Sequence, residues 1–382
     1  VPFKQCLTAV LDPVTIDREL AWARSLGFNT LRVFLNYVVW EDNPGAFKER
    51  FCQFLSSADK HELLVMPILF DDCAFSGKEP RVGLQPNPVP GVHNSGWVPS
   101  PPYAMHKDRA SWPDLERYVK DVVGEFGQDS RVVIWDLYNE PSKTLPLVAA
   151  VFQWARETHP SQPLTTSIFG PTEMQYRIVA LSDIISFHNY NNLASLKSEV
   201  ARLLTHGRPL LCTEYMARGH GSRFATHLPF FKDHRIGCWN WGLVAGRTQT
   251  HYPWGSPEGA PEPPLWHHDI FRRDGTPFNA REVEQIRMVT RGVPAESPEY
   301  RVLLPTSERK PRSWQYTLDR PVGDWFACDF DDSGWKTAPA PFGQEEAGIG
   351  RKPNTRWNSS DIWLRGSFDM PAGQFDHYVL NI

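Results

Sequence analysis

The stretch Arg131–Pro141 reads RVVIWDLYNEP, an apolar run that ends on an amide, a carboxylate and a proline. The run is short, rich in β-branched and aromatic residues and bounded by polar ones, which predicts a buried strand. A strand that stops on a carboxylate is informative only if other strands end beside it. The patterns on either side of this stretch are therefore decisive.

Six further runs of this kind alternate with helical patterns: NTLRVFLN, LLVMPILF, LTTSIF, DIISFHNY, PLLCTEY and IGCWNWGLV. Strands that alternate with helices predict a parallel sheet. Seven or eight such units favour a (β/α)8 TIM barrel, and no G-x-G-x-x-G turn supports a doubly wound dinucleotide-binding sheet. The first barrel strand is expected in VPFKQCLTAV, where the pattern is weak or missing.

The helical patterns carry their own boundary signals. In DPVTIDRELAWARSLG, Asp12 is a candidate N-cap, the next residue is proline, and Gly27 closes the segment. Near Pro294 the alternation stops and short aromatic strands separated by turn signals follow. We therefore predict a barrel catalytic domain over residues 1–293 and a small, truncated all-β module over residues 300–382, part of a β-sandwich or jelly roll.

Composition excludes several classes of partner. Apolar residues make up 41% of the 382 residues, the formal net charge is −4, and no block of like charge occurs. This argues against nucleic acid or an anionic membrane surface as a partner. We recognise no signal peptide and no membrane-spanning run, and the sequence assigns neither a compartment nor an oligomeric state. The six cysteines lack CxxC spacing, which favours free thiols over a zinc site.

Two long loops rich in proline and glycine follow the third and eighth barrel strands, and they should border the mouth of the barrel. They carry Trp97, Tyr103, Trp254 and Trp266, and the chain has 15 tryptophans in all. Aromatic rings stack on sugars, so these residues are candidate sugar platforms. The alternative is that they fold the loops down onto the barrel. Specificity is expected to reside in these loops.

A second carboxylate completes the pattern. Glu140 ends the fourth barrel strand and Glu214, in LCTEY, ends the seventh, so both should face one mouth. Two carboxylates across a pocket suit glycoside hydrolysis, in which one is protonated and the other ionised. Arg32, inside a strand, needs a carboxylate partner, and Glu214 is the candidate. Strand parity points His188 and Tyr190 inward.

The segments NTLRVF, WDLYNEP, SFHNY, LCTEY and CWNWGL together resemble the clan A retaining glycoside hydrolases, most closely the cellulase-like family 5 group. The resemblance spans nearly the whole barrel. It implies Glu140 as the acid/base and Glu214 as the nucleophile, with Asn139 binding the 2-hydroxyl of the sugar that is cleaved. It further implies that Tyr190 bonds the nucleophile, His188 lies near the acid/base, Arg32 orients the nucleophile and Trp241 floors the sugar site.

Two features depart from the family pattern. A histidine is common at the end of the third barrel strand, whereas this chain reads FDDCAF, so that Asp71 or Asp72 would take its place. The C-terminal module resembles the first half of a galactose-binding-like jelly roll.

The predicted function is a retaining glycoside hydrolase that cleaves neutral β-linked glycans of the cellulose, xylan or mannan class by double displacement. Its partner is an oligosaccharide or polysaccharide, and no cofactor or metal is required. Substrate contacts are expected from Trp241, Trp97 and Trp254, and the pKa of Glu140 is expected to be raised. The alternative is a catalytically inactive carbohydrate-binding protein on the same scaffold.

Overall fold

A computed structural model describes residues 12–291, except 76, 84, 142, 143, 170 and 171, together with residues 307, 311–343 and 353–368. The stretch VPFKQCLTAV, where the first strand is expected, lies outside the described residues. The chain divides into two compact units, Val1–Glu296 and Ser297–Ile382. Each unit is treated by itself below.

The first unit alternates strands and helices. Its strands are β1 (Thr30–Phe34), β2 (Leu64–Asp71), β3 (Trp135–Asn139), β4 (Leu164–Thr165), β5 (Ser167–Ile168), β6 (Ile185–His188), β7 (Leu210–Tyr215) and β8 (Gly237–Asn240). All pairings among them are parallel. The seven predicted strands are confirmed, because β4 and β5 together form the predicted run LTTSIF.

Ten helices surround these strands in the described part of the unit. They are α1 (Pro13–Ser25), α2 (Tyr37–Asp42), α3 (Pro44–Lys60), α4 (Tyr103–Lys107), α5 (Trp112–Phe126), α6 (Leu145–Arg156), α7 (Thr172–Leu181), α8 (Leu193–Leu204), α9 (Phe224–Asp233) and α10 (Ala280–Arg291). The start of α1 is as predicted, since the Asp12 side chain accepts a bond from the backbone N–H of Thr15 at 3.2 Å. The helices α2 and α4 lie in segments for which no helix was predicted.

The strands form two four-stranded parallel sheets, in the orders β1-β2-β3-β4 and β5-β6-β7-β8. A single residue, Thr166, separates β4 from β5, so the two sheets follow one another without a crossover. Within the described residues no pairing joins β8 to β1, and the sheet is not closed there. Strand order and direction nevertheless bring the carboxyl ends of the strands to one side.

The core lies between the sheet and its helices. The predicted helical face of α3 is confirmed, since Phe47, Phe51, Phe54 and Ala58 are each at most 2% exposed. A second, smaller apolar cluster consists of Phe34 on β1, Ile68 on β2 and Trp97. Every helix in the described part of the chain is too short or too polar to cross a lipid bilayer.

The regular elements in the described part of the second unit are strands: β9 (Ser313–Thr317), β10 (Lys336–Pro339), β11 (Phe342–Gly343), β12 (Thr355–Arg356) and β13 (Trp363–Arg365). The antiparallel sheet has the order β10-β9-β13, and β11 pairs with β12. Val322 and Phe326 are 89% and 72% exposed, respectively. The strands and their pairing agree with the predicted all-β module.

Candidate active site

Glu140 lies one residue beyond the end of β3, in an unusual backbone conformation. Its φ is 42°, in the left-handed region that residues other than glycine rarely adopt. The backbone N–H of Glu140 donates to Ser167 Oγ at 3.0 Å, which ties this turn to β5. Backbone strain of this kind clusters at functional sites. Here the extended conformation of β3 ends just before Glu140.

Both carboxylate oxygens of Glu140 have partners. Its Oε1 lies 2.6 Å from Nδ1 of His188, at the end of β6. Its Oε2 accepts a hydrogen bond from the thiol of Cys73 at 3.0 Å. His188 thus lies beside Glu140, as the resemblance implied, whereas the contact with Cys73 was not predicted.

Glu214 on β7 is also held at both oxygens. Arg32 Nη1 lies 2.5 Å from Oε1, and the Tyr190 hydroxyl donates to Oε2 at 2.5 Å. His188 Nδ1 lies 3.5 Å from the same Oε2 and therefore stands between the two glutamates. Glu214 is 5% exposed. The partners expected for Glu214, Arg32 and Tyr190, are in place.

The two carboxylates are close to each other. One ligating atom each of Glu140, His188 and Glu214 lies within 4.8 Å of the other two. Among the described residues this is the one such group that could hold a metal ion. A histidine and two carboxylates could bind a divalent transition metal. The same atoms can instead bind and transfer protons.

Arg32 connects the site to a carboxylate that sequence reasoning missed. Its guanidinium donates to Asp136 Oδ2 from Nε at 2.9 Å and from Nη2 at 2.7 Å. Nη2 also donates to Asn139 Oδ1 at 2.7 Å. Arg32 is 6% and Asp136 0% exposed, so burial leaves the charged guanidinium dependent on these partners. The position of Asp136 inside a buried strand was the signal that could have revealed it.

The pKa of Glu140 differs from the expectation. Burial would raise the pKa of Glu140, but hydrogen bonds from His188 and Cys73 and the charges of His188 and Arg32 lower it below the usual value. The expected raised pKa of Glu140 is therefore wrong for the free site. Burial raises the pKa of Glu214, and the charge of Glu140 adds to this. The prediction failed because it considered burial and like charge without the donors.

Asp71, not Asp72, faces the site. Asp71 Oδ1 accepts a hydrogen bond from Asn139 Nδ2 at 2.9 Å, and its Oδ2 accepts one from the Trp97 indole at 2.8 Å. Asp72 instead accepts a bond from the Tyr138 hydroxyl at 2.6 Å and pairs with His106 at 3.1 Å. Successive residues at a strand end point to opposite faces, which explains the difference.

Trp97 and Trp241 form the apolar side of the site. Their ring centroids are 5.5 Å apart, and Trp241 also contacts Phe34 edge-on at 5.8 Å. Trp97 is only 5% exposed, so the expectation that it offers an open sugar platform is not met. Its ring packs against Phe34 and Ile68, and its indole N–H reaches the buried Asp71. Trp241 is half-buried and directly follows β8.

Trp254 borders the same mouth and is 39% exposed. Its ring meets that of Tyr190 edge-on at 5.0 Å, which places it next to the partner of Glu214. Behind it, His267 and His268 pack at 4.5 and 5.4 Å, and burial lowers the pKa of both imidazoles. Trp266 is 2% exposed and stacks on Phe278, so it serves loop packing.

The two long loops are joined to each other. We call residues 72–102 the β2 loop and residues 241–279 the β8 loop. Gln249 of the β8 loop donates to the carbonyl oxygens of Val89 and Val92 at 2.7 and 3.0 Å, and Asn94 N–H donates to Thr248 O at 2.8 Å. Gly259 N–H donates to Pro90 O at 2.8 Å. The two loops thus form one wall beside the mouth.

Comparisons with known proteins support the fold. No protein-family model and no curated protein matches the sequence. The structure is similar to an endo-β-1,4-mannanase from Thermotoga petrophila, at 13% identity and a TM-score of 0.51 over 81% of this chain and 78% of that one. It is similar to a β-glucosidase, at 14% identity and a TM-score of 0.50 over 75% of this chain and 89% of that one.

A β-glucuronidase from an uncultured Clostridium sp. has 14% identity and a TM-score of 0.48 over 74% of this chain. This chain spans about half the length of that enzyme, 48%. At these identities the likeness concerns the fold alone. The mannanase and β-glucosidase comparisons show that the chain has a fold that glycoside hydrolases use.

Proposed function

We propose that the protein is a retaining β-glycoside hydrolase whose site is the carboxylate pair Glu140 and Glu214. The observation that carries this proposal is the placement of both groups at strand ends, with an oxygen of each within 4.8 Å of the other. Retaining enzymes hold their two carboxyl groups about 5–5.5 Å apart, whereas inverting enzymes leave about 6.5–9.5 Å for a water molecule. The short separation supports retention.

The roles follow from the contacts. A Glu214 oxygen forms a bond to the anomeric carbon while the bond from that carbon to the leaving oxygen breaks, and Glu140 gives its proton to that oxygen. In the second step Glu140 takes a proton from water, whose oxygen displaces Glu214 from the sugar. Arg32 and Tyr190 hold Glu214 in position for attack.

The lowered pKa of Glu140 raises the question of where the acid proton is kept. The hydrogen bond between His188 Nδ1 and Glu140 Oε1 contains a proton. That proton lies on the Oε1 side, whereas the leaving oxygen must take its proton from the oxygen that His188 does not bind, so Glu140 must be in its carboxylic-acid form when the glycosidic bond breaks. The lowered pKa of Glu140 makes that form the minor one in the empty site.

We assign a neutral β-linked glycan as the substrate class. Arg32, the cation that contacts the carboxylates in the described structure, donates to Asp136, Glu214 and Asn139 and is thus committed to protein partners. Trp241 and Trp254 supply ring surface next to the carboxylates, which suits the C–H faces of a sugar. The names of the two similar structures, a mannanase and a β-glucosidase, agree with this class.

The proposal includes the architecture. The first unit is a (β/α)8 barrel. The elements β1–β8 supply seven of its strands, because β4 and β5 count as one. Catalysis belongs to this domain, predicted over residues 1–293. The all-β module, predicted over residues 300–382 as part of a jelly roll, is accessory. The reaction needs no cofactor.

Turnover of a panel of aryl β-glycosides and β-glucan, xylan and mannan polysaccharides tests the proposal. We expect hydrolysis with retained anomeric configuration, followed by proton NMR of the first-formed sugar. Glu214→Ala should remove turnover by orders of magnitude. Binding of the glycans without hydrolysis would show the inactive binding protein instead, and an inverted product would reject the nucleophile assignment.

A further inference from the structure

The thiol of Cys73 contacts the proposed acid/base directly. Cys73 lies two residues beyond the end of β2, and its backbone N–H donates to Asp71 Oδ1 at 3.0 Å. Its Sγ lies 3.0 Å from Glu140 Oε2 and 3.6 Å from Asn139 Nδ2. The side chain also packs against the cluster that contains Trp97. The sulfur is thus fixed on three sides, with its S–H directed to the carboxylate.

Glu140 cannot act as an acid toward a substrate while both its oxygens are engaged. One oxygen is bound to His188 and the other to Cys73. A thiol is a weaker hydrogen-bond donor than an imidazole N–H or a hydroxyl. A glycosidic oxygen can therefore replace the hydrogen bond from Cys73 at a smaller cost in free energy than the hydrogen bond from His188.

We propose that Cys73 is a positioning residue: its thiol holds Glu140 Oε2 in the empty site and yields that oxygen to the leaving group when substrate binds. This inference rests on the proposed function. Burial and the charges of Asp71 and Glu140 raise the pKa of Cys73 well above its usual range, so the sulfur stays protonated and remains a donor. Cys73 acts through Glu140 and forms no bond to the sugar.

The inference predicts shifts of opposite sign for two substitutions. A donor to a carboxylate favours its ionised form, so Cys73→Ala should raise the pKa of Glu140. Cys73→Ser introduces a stronger donor and should lower it. Removing one hydrogen bond to the ionised carboxylate should change its pKa by about half to one pH unit. The acid limb of kcat/KM follows Glu140, whose pKa is the lower of the pair, and should move to higher pH in the alanine variant and to lower pH in the serine variant.

Leaving-group dependence separates positioning from a merely structural role. We expect Cys73→Ser to lower kcat/KM several-fold for a methylphenyl glycoside, which needs protonation of its leaving oxygen. The matched dinitrophenyl glycoside needs no such protonation and should change little. Cys238→Ala, at a half-buried thiol on β8, is the control and should leave the pH profile unchanged.

A titration that needs no turnover keeps this inference distinct from the proposed function. Carbon-13 NMR of labelled glutamate follows the Glu140 carboxyl carbon, which the Glu140→Gln variant assigns. Opposite shifts in the two Cys73 variants would support the thiol contact even if the wild-type protein hydrolysed no glycoside, in which case the proposed function alone fails. Unchanged titrations, or shifts of the same sign in both variants, would overturn the inference.

Discussion

Arg32 Nη1 on β1 and Glu214 Oε1 on β7 lie 2.5 Å apart, although 182 residues separate them in the chain. The two strands belong to different four-stranded sheets. The contact therefore crosses the mouth and shows that the sheets curve towards each other at their carboxyl ends. A side-chain contact thus joins the two sheets at this end, where no described backbone pairing links β8 to β1.

Arg32→Met should destabilise the protein strongly. It leaves Asp136, which is 0% exposed, without its cation. Removing one partner of a buried ion pair costs about 3–5 kcal/mol. Urea unfolding of the two proteins measures the difference. The control is Arg156→Met, which breaks an ion pair with Asp183 whose side chains are 47% and 39% exposed, and it should cost less than about 1 kcal/mol. Equal costs for both variants would contradict the buried network.

Tyr190→Phe should move the alkaline limb of kcat/KM to higher pH, because the raised pKa of Glu214 is the higher of the pair. Glu214 must be ionised to attack, and burial already raises its pKa above the usual 4.5. The Tyr190 hydroxyl stabilises the ionised form, so removing it raises that pKa further, by about half to one pH unit. The decline in activity at alkaline pH then begins at a higher pH. Tyr176→Phe, at a tyrosine that is 60% exposed, is the control. An alkaline limb that stayed in place would show that this hydroxyl does not stabilise ionised Glu214.

Trp254→Ala should weaken substrate binding more than it slows chemistry. Its ring is 39% exposed and touches Tyr190, but it contacts neither carboxylate in the described structure. Loss of an aromatic contact of about 1 kcal/mol corresponds to a rise in KM of about fivefold, with kcat little changed. Steady-state kinetics on an oligosaccharide provide the measurement.

Phe326→Ala in the all-β module is the matched control, since Phe326 is 72% exposed and lies in the other unit. It should leave both constants unchanged. A rise in KM only in the Phe326 variant would move sugar binding away from the strand ends.

Zinc should inhibit the proposed hydrolysis in competition with substrate. The ligating atoms of Glu140, His188 and Glu214 lie within 4.8 Å of one another, and a zinc ion bound there would occupy the place of the anomeric centre. We expect a raised apparent KM, an unchanged kcat and full recovery with EDTA. EDTA alone should leave the activity of metal-free protein intact. Loss of activity with EDTA alone would instead indicate a required metal.

The candidate site residues at the strand ends were predictable because each apolar run is followed directly by a polar side chain. Glu140, Glu214 and His188 each follow an apolar run, and parallel strands bring such ends together. Arg32 was predictable for another reason, since a charge inside a strand needs a partner. Local pattern and the rules of sheet topology were sufficient for these residues.

Sequence patterns could not predict three features of the site: the contact of Cys73 with Glu140, the direction of the pKa shift of Glu140, and the burial of Trp97. Each depends on how a loop folds back over the mouth, and no periodicity records that path. The thiol lies beside Glu140 because the chain turns just after β2, and that contact is one of the causes that lower the pKa of the carboxylate. The direction of a pKa shift therefore required the contacts themselves.

The hydrogen bonds that Gln249 makes to Val89 and Val92 make sequence changes in the β2 loop and the β8 loop depend on each other. A length change or an exchange in the β2 loop would remove acceptors that the β8 loop needs, and the reverse also holds. New specificities would then arise through paired changes in both loops. A laboratory graft of one loop from a related barrel would carry only half of a mutually dependent unit, so recombination libraries should transfer both segments together.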